Sequence, residues 1–171
     1  GTDFENKDKL LPLYLFESSA DPEKLVSMKE YVERMKPDQK SIYYLTGPSR
    51  RAVENSPHLE AFQAKGYEVL FLVDSVDEFL VQWTQEFEGK RLKSVAKGIT
   101  DLDDDRDLAG KAAEFSALMD LIQKKLDDHV KQVRLSGRLT SSPACLVVAD
   151  QEMSPNLEKM LNQAKGENAK Q

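Results

Sequence analysis

Apolar and polar residues follow two different periods along the chain, and the switching between them is clearest from Ser41 to Lys97. Ser41-Ile42-Tyr43-Tyr44-Leu45 is a β-branched and aromatic run that stops at Thr46-Gly47-Pro48, which predicts a short strand and a turn. Ser56 and Pro57 open a helix as N-cap and first helical residue. Leu59 and Phe62 share one face of it, and Gly66 closes it. Tyr67 to Val73 is nearly continuous in apolar residues, the pattern of a strand covered on both faces. Ser75 and Glu78 have capping-box spacing and predict a helix from about Val76. Its apolar stripe is Val76, Phe79, Leu80, Trp83 and Phe87, and Arg91 to Val95 reads as a weaker third strand. Strands and helices alternating at this spacing predict a small α-β-α layered unit with a short, mainly parallel sheet.

The flanks read differently. Phe4, Leu10, Leu11, Tyr14 and Leu15 have helical spacing interrupted by Pro12, and Glu17 to Glu23 reads as a loop. Ser27 with Glu30 is a second capping box, opening a helix through Met28, Tyr31, Val32 and Met35 that Pro37 ends. Residues 98–110 carry Asp101, Asp103, Asp104, Asp105 and Asp107 against Arg106, which predicts a solvated acidic linker. The chain therefore divides into residues 1–97, a linker at 98–110 and a second unit at 111–171. In that unit Phe115, Leu118, Met119, Ile122 and Leu126 predict a helix over 111–128. Val133 to Leu139 alternates like a half-exposed strand, Thr140 to Pro143 turns, and Ala144 to Val148 is an apolar strand. An antiparallel strand pair under one helix follows, with a core thin enough to need outside support. The fold class is thus α/β and α+β.

Met153, Leu157, Met160, Leu161 and Ala164 fall on one face of a short amphipathic helix near the end. Two readings stand: the stripe packs on the sheet, or it stays exposed and binds partners, since thioether side chains adapt to varied apolar shapes. Lys165 to Gln171 is polar and expected to fray.

Composition narrows the function. The chain has 171 residues, enough for one sizeable core or two small ones, and a formal net charge of -6. That acidity argues against nucleic-acid binding, which needs a basic face. No apolar run approaches the ~18 residues of a membrane span, and no signal-peptide pattern is present. The single Cys145 lies in an apolar run, excludes an internal disulfide, and reads as a small buried hydrophobe in a reducing compartment. The pattern begins directly after Gly1-Thr2, as in a piece of a longer protein.

Candidate chemistry is sparse. There is no phosphate-cradling glycine loop, no Cys/His cluster and no histidine-bearing triad. His58 and His129 read as structural or solvent residues, and the aspartates lack the glycine and terminal glutamate of a calcium loop. Thr46, Ser49, Arg50 and Arg51 stand where a strand end, a glycine turn and a helix start could hold an anion or nucleotide. Helix capping by Ser49 with exposed arginines explains the same residues without a ligand.

Ile42 to Ser49, Ala52 to Pro57, Gly66 to Leu70, Asp77-Glu78-Phe79, Glu86 to Lys90 and Arg138 to Ala144 closely resemble the heat-shock protein 90 chaperones, in their bacterial HtpG type. The resemblance covers nearly the whole chain. It implies the end of a middle domain joined to the start of a C-terminal domain, within an ATP-dependent chaperone assisting protein folding. ATP and magnesium would then serve an N-terminal domain absent here, the middle-domain catalytic loop would precede Gly1, and the dimerising helices would follow Gln171. The implied fragment is not an enzyme by itself. The implied partners are unfolded or partly folded clients and co-chaperones, with a homodimer in the parent and a cytoplasmic location. Glu78, Phe79 and Gln82 match the family's client and co-chaperone surface. Met153, Leu157, Met160 and Leu161 match its projecting client-contact helix. Phe79 stands where bacterial relatives can carry tryptophan, with Trp83 one turn later. Stripe geometry puts Trp83 and Leu80 in the core and Phe79 at its edge.

Overall fold

β3, Ile42–Thr46, is flanked on both sides by strands that run parallel to it, β4 (Leu70–Leu72) and β6 (Lys90–Ser94). Tyr44 stands opposite Leu70 on one side and Ser94 on the other. The remaining strands are β1 (Leu15–Ser18), β2 (Val26–Ser27) and β5 (Glu86–Phe87), and the six-stranded order is β2-β1-β4-β3-β6-β5. The computed structural model describes residues 11–98, 102, 106–150, 152–153, 157–158 and 161–162.

Among the described residues the continuous helices are α1 (Met28–Arg34), α2 (Arg50–Glu54), α3 (Glu60–Lys65), α4 (Ser75–Trp83), α5 (Arg106–Glu114) and α6 (Ser116–Lys125). Ser27 caps α1 through the reciprocal bonds with Glu30 that the sequence called for. Ser56 caps a 3-10 turn at Pro57–Leu59 that leads into α3, and Gly66 ends α3 in the left-handed conformation.

Because side chains alternate along a strand, β3 and β4 feed two cores. Tyr43, Leu45, Val69 and Phe71 pack with Val53, Leu59 and Phe62 on one face. Ile42, Leu70 and Leu72 pack with Phe16, Val26, Met28 and Tyr31 on the other, where Leu80 and Val81 of α4 join them half-buried. Tyr43 meets Phe62 edge-on at 4.8 Å between ring centroids. Tyr31 ties the second core together. Its hydroxyl donates to the Glu68 carbonyl at 2.6 Å and accepts from the Tyr43 N–H at 2.9 Å and the Gln39 amide at 2.8 Å. The sequence expectation of a mixed α/β fold holds.

Several elements differ from their sequence patterns. The sheet is mixed, since the β1–β2, β1–β4 and β5–β6 pairs are antiparallel. Leu11–Leu13 is a 3-10 turn and Leu15 lies in β1, because Pro12 cannot continue a helix and β4 offers an open edge. Phe4 and Leu10 lie outside the described residues.

Phe87 does not extend α4. That helix stops at Trp83, Thr84 is extended, and Phe87 pairs with Lys90 in a hairpin. Its two-residue loop is Glu88 (φ 47°) and Gly89 (φ 74°), the positive pair that suits the right-handed twist of a hairpin.

The helix expected over 111–128 is two helices, broken where Phe115 leaves helical geometry (φ -96°, ψ 7°). No antiparallel pair forms between 132–139 and 144–148 among the described residues. The main-chain groups of the second stretch find another partner. Val148 bridges Lys97 in parallel fashion, with the Gly98 N–H donating to the Val148 carbonyl and the Val148 N–H to Ala96.

The acidic stretch is anchored at Leu102, which is buried with Tyr43, Leu45 and Val53. Gly137 packs so tightly there that a β-carbon would come within 2.1 Å of the Leu102 carbonyl oxygen.

Candidate functional site

α4 buries an unusual face. Asp77 and Glu78 point inward with Leu80 and Val81, while Val76, Phe79 and Trp83 point out. The cause lies at the helix start. Asp74 is the N-cap, and the Asp77 carboxylate accepts the Asp74 N–H at 3.1 Å, so the box begins one residue before the expected Ser75. Burial raises the Asp77 pKa from its ordinary value, opposed by the Asp74 N–H and helped by the charges of Asp74 and Glu78. Trp83, assigned to the core by stripe geometry, is 49% exposed, and Phe79 is 37% exposed. Their ring centroids lie 6.3 Å apart, forming one aromatic surface.

Beside that surface opens a cleft of 430 Å³. One wall is Glu78, Val81 and Gln82 of α4, continued by Gln85. The floor is Tyr44 and Thr46 of β3 with Leu92, Lys93 and Ser94 of β6. The far wall is Lys97 with Asp150, Glu152 and Met153. Lys97 Nζ donates to the Glu152 carbonyl at 2.7 Å, and Lys131 pairs with the Glu152 carboxylate, whose pKa it lowers. Burial, then the charges of Glu78 and Asp150, push the Tyr44 hydroxyl up to about 12. The cleft is therefore apolar at Val81, Leu92 and Met153 and carries both signs of charge elsewhere.

Sequence candidates far apart along the chain meet here. Gln82 and the 52%-exposed Met153 line the same cleft, with Phe79 on the adjoining surface. Glu78 lines it too but is only 3% exposed, because the helix turns that face to the sheet, so its carboxylate is no open surface contact. Leu157 is 2% exposed and Leu161 half-buried, so this part of the last stripe packs on the chain itself. Met160 lies outside the described residues. Nothing in the sequence signalled that Lys93, Lys97, Asp150 and Glu152 would share a cleft, since their proximity comes from the β6 pairing and the Lys97–Val148 bridge.

The Thr46 to Arg51 group does not converge on a ligand. Thr46 lines the cleft, whereas Ser49 caps α2 by accepting the Ala52 N–H. Arg50 donates to Glu17 at 2.8 Å, Glu54 at 2.6 Å and the Ser18 carbonyl at 2.9 Å, and sits 5.2 Å from the Phe71 ring centroid. Arg51 is exposed. Among the described residues, no group of three or more His, Cys, Asp or Glu could hold a metal ion, and no helix is long and apolar enough to cross a membrane.

A layered α/β unit of this kind is found in heat-shock middle domains. The middle domain of a Plasmodium falciparum heat shock protein superposes with a TM-score of 0.54 at 34% identity, covering 57% of this chain and 41% of that one. The sequence model described as Hsp90 protein matches residues 1–171, and the chain belongs to the Hsp90 family. It is 52% identical over 165 residues to the chaperone protein HtpG of Frankia casuarinae, covering 92% of this chain and 25% of the relative. It is 48% identical to that of Streptomyces coelicolor, covering 93% and 26%. The chain thus spans about a quarter of the length of these relatives.

Proposed function

We propose that this chain is a client-holding portion of an ATP-dependent Hsp90-type chaperone, contributing binding surface and no ATP hydrolysis of its own. The observation that carries the reading is the meeting of Gln82 and Met153 in one 430 Å³ cleft, beside the exposed Phe79 and Trp83 pair. A cleft with a thioether, two aliphatic side chains and charges of both signs suits short stretches of varied unfolded polypeptide better than one rigid ligand. Aromatic residues left in water next to it extend that surface. Client contact through Phe79, Gln82 and Met153 is the core of the proposal. ATP and magnesium, the homodimer and co-chaperone docking belong to the parent protein, in the cytoplasm. The rival reading of an anion or nucleotide site draws little support, because Arg50 is committed to Glu17, Glu54 and Ser18.

The test is a titration of a fluorescently labelled, permanently unfolded protein with this chain. Saturable binding that Gln82→Asp with Met153→Asp weakens at unchanged circular dichroism is the expected result. No saturable binding, or binding indifferent to both changes, overturns the proposal. A parallel calorimetric titration with ATP should show no heat of binding.

A further inference from the structure

The far wall of the cleft belongs to a strap of chain, described at residues 138–150 and 152–153, laid across the α/β unit. Its path begins where the Ala61 N–H donates to the Arg138 carbonyl at 3.1 Å. Next to that contact the Glu60 carboxylate accepts the backbone N–H groups of Thr140 at 2.7 Å, Ser141 at 2.8 Å and Ser142 at 3.1 Å. The Ser142 hydroxyl donates to it as well, and these donors hold its pKa far below the ordinary carboxylate range. One side chain on the first turn of α3 thus serves three consecutive main-chain amides separated from it by some eighty positions in sequence. A few residues further along, the strap meets Lys97 through Val148, and from there it supplies Asp150, Glu152 and Met153 to the cleft.

The geometry points to Glu60 as a positioning residue for the cleft: by gripping Thr140 to Ser142 it fixes the register in which the strap crosses the domain, and so where Met153 stands opposite Gln82. Consecutive amides and one hydroxyl aimed at a single carboxylate favour one alignment of the strap: a slip toward Pro143 would remove a donor, since proline has no N–H, and a slip either way would displace the Ser142 hydroxyl. Glu60 itself touches nothing in the cleft; its effect passes through the backbone. The consequence for client binding rests on the proposed function, but the positional claim does not.

The experiment compares the chain with Glu60→Gln and Glu60→Asp variants by amide hydrogen exchange and by the Met153 methyl NMR resonance, without any client. In Glu60→Gln the amides of 140–142 should exchange about tenfold faster, as expected for loss of a charged acceptor. The β3 and β4 amides should not change, and the Met153 methyl should shift. Glu60→Asp, which keeps the charge, should restore part of both effects. Ser142→Ala, which removes only the hydroxyl, should move Met153 in the same direction by a smaller amount, and covers the case in which Glu60→Gln unfolds. Faster exchange at 140–142 with an unmoved Met153 overturns the inference, since the Lys97–Val148 pairing would then hold the wall alone. Client titration is the separate arm: if the unaltered chain binds no client while Met153 still shifts in Glu60→Gln, the functional proposal fails and the positional one stands.

Discussion

The guanidinium of Arg138, fully buried, donates to the backbone carbonyl of Val95 at 3.0 Å. A second donor from the same group reaches the Gly98 carbonyl at 2.7 Å, which also accepts from Arg134. A cation thus caps two main-chain carbonyls just beyond β6, on either side of the bridge between Lys97 and Val148. Arg138→Met would leave the Val95 carbonyl buried without this donor. The expected cost is about 2–4 kcal/mol, read as a lower urea midpoint. A change under about 0.5 kcal/mol would mean that water replaces the arginine.

Phe79 and Trp83 are each partly exposed, so replacing both by serine removes only part of their packing. Stability should fall by about 1–3 kcal/mol, while affinity for an unfolded client falls by more than that loss explains. Equal losses of stability and affinity would place the pair in the core instead.

Leu157 and Met153 should behave oppositely. Leu157→Asp puts a charge into a packed position and should lower the thermal midpoint clearly. Met153→Asp, at an exposed position, should leave the midpoint nearly unchanged. Thermal melts of the two variants side by side decide the matter.

Tyr31→Phe deletes the hydroxyl shared by Glu68, Gln39 and Tyr43. Its loss should cost about 1–3 kcal/mol, because the Tyr43 N–H and the Gln39 amide lose their acceptor. Burial raises the pKa of this phenol, so it remains neutral and hydrogen-bonded at any pH where the protein is studied.

His58 predicts an acid-side weakness. Burial first, and then the neighbouring Arg138 charge, lower its pKa, opposed by a hydrogen bond with the Leu146 backbone. A base that resists protonation in the fold makes the unfolded state bind more protons. Stability is then lost as pH falls through the unfolded value of about 6.5 and levels off below the depressed folded value. Glu60, with its pKa lowered, contributes stability that is lost in a separate window, as pH falls below the ordinary value of 4.5. The urea midpoint should therefore drop between pH 7.5 and 5.5, and His58→Gln should flatten that drop while leaving the more acidic one.

Elements specified by local chemistry could be read from the sequence. The Ser27–Glu30 box, the run into β3 and the Gly66 stop depend on neighbours within a few residues, and all three stand where the pattern puts them. β1 could not be read that way, since the helical spacing around Leu11 to Leu15 is overridden by pairing with β2 and β4. The outward turn of Trp83 was hidden for a different reason. Amphipathic reading assumes that carboxylates seek water, whereas Asp77 is held inside by the backbone of Asp74. The β5–β6 hairpin did leave a trace, Glu88-Gly89 between two short runs, which the helical stripe through Phe87 obscured. The alternation at 133–139 misled in kind as well as in partner, since the stretch forms no strand and turns at Gly137 and Arg138. A period shows which side chains share a face, and it carries no information about what meets that face.

Leu102 in the core and Gly137 against its carbonyl bring together the two ends of a chain excursion that contains α5 and α6. Mechanically this is a loop closed at its neck, with two further ties, Arg134 to the Gly98 carbonyl and Lys131 to Glu152. Torque applied to α6 would reach the sheet through that neck and those ties together, and the neck itself is set by a leucine among aspartates.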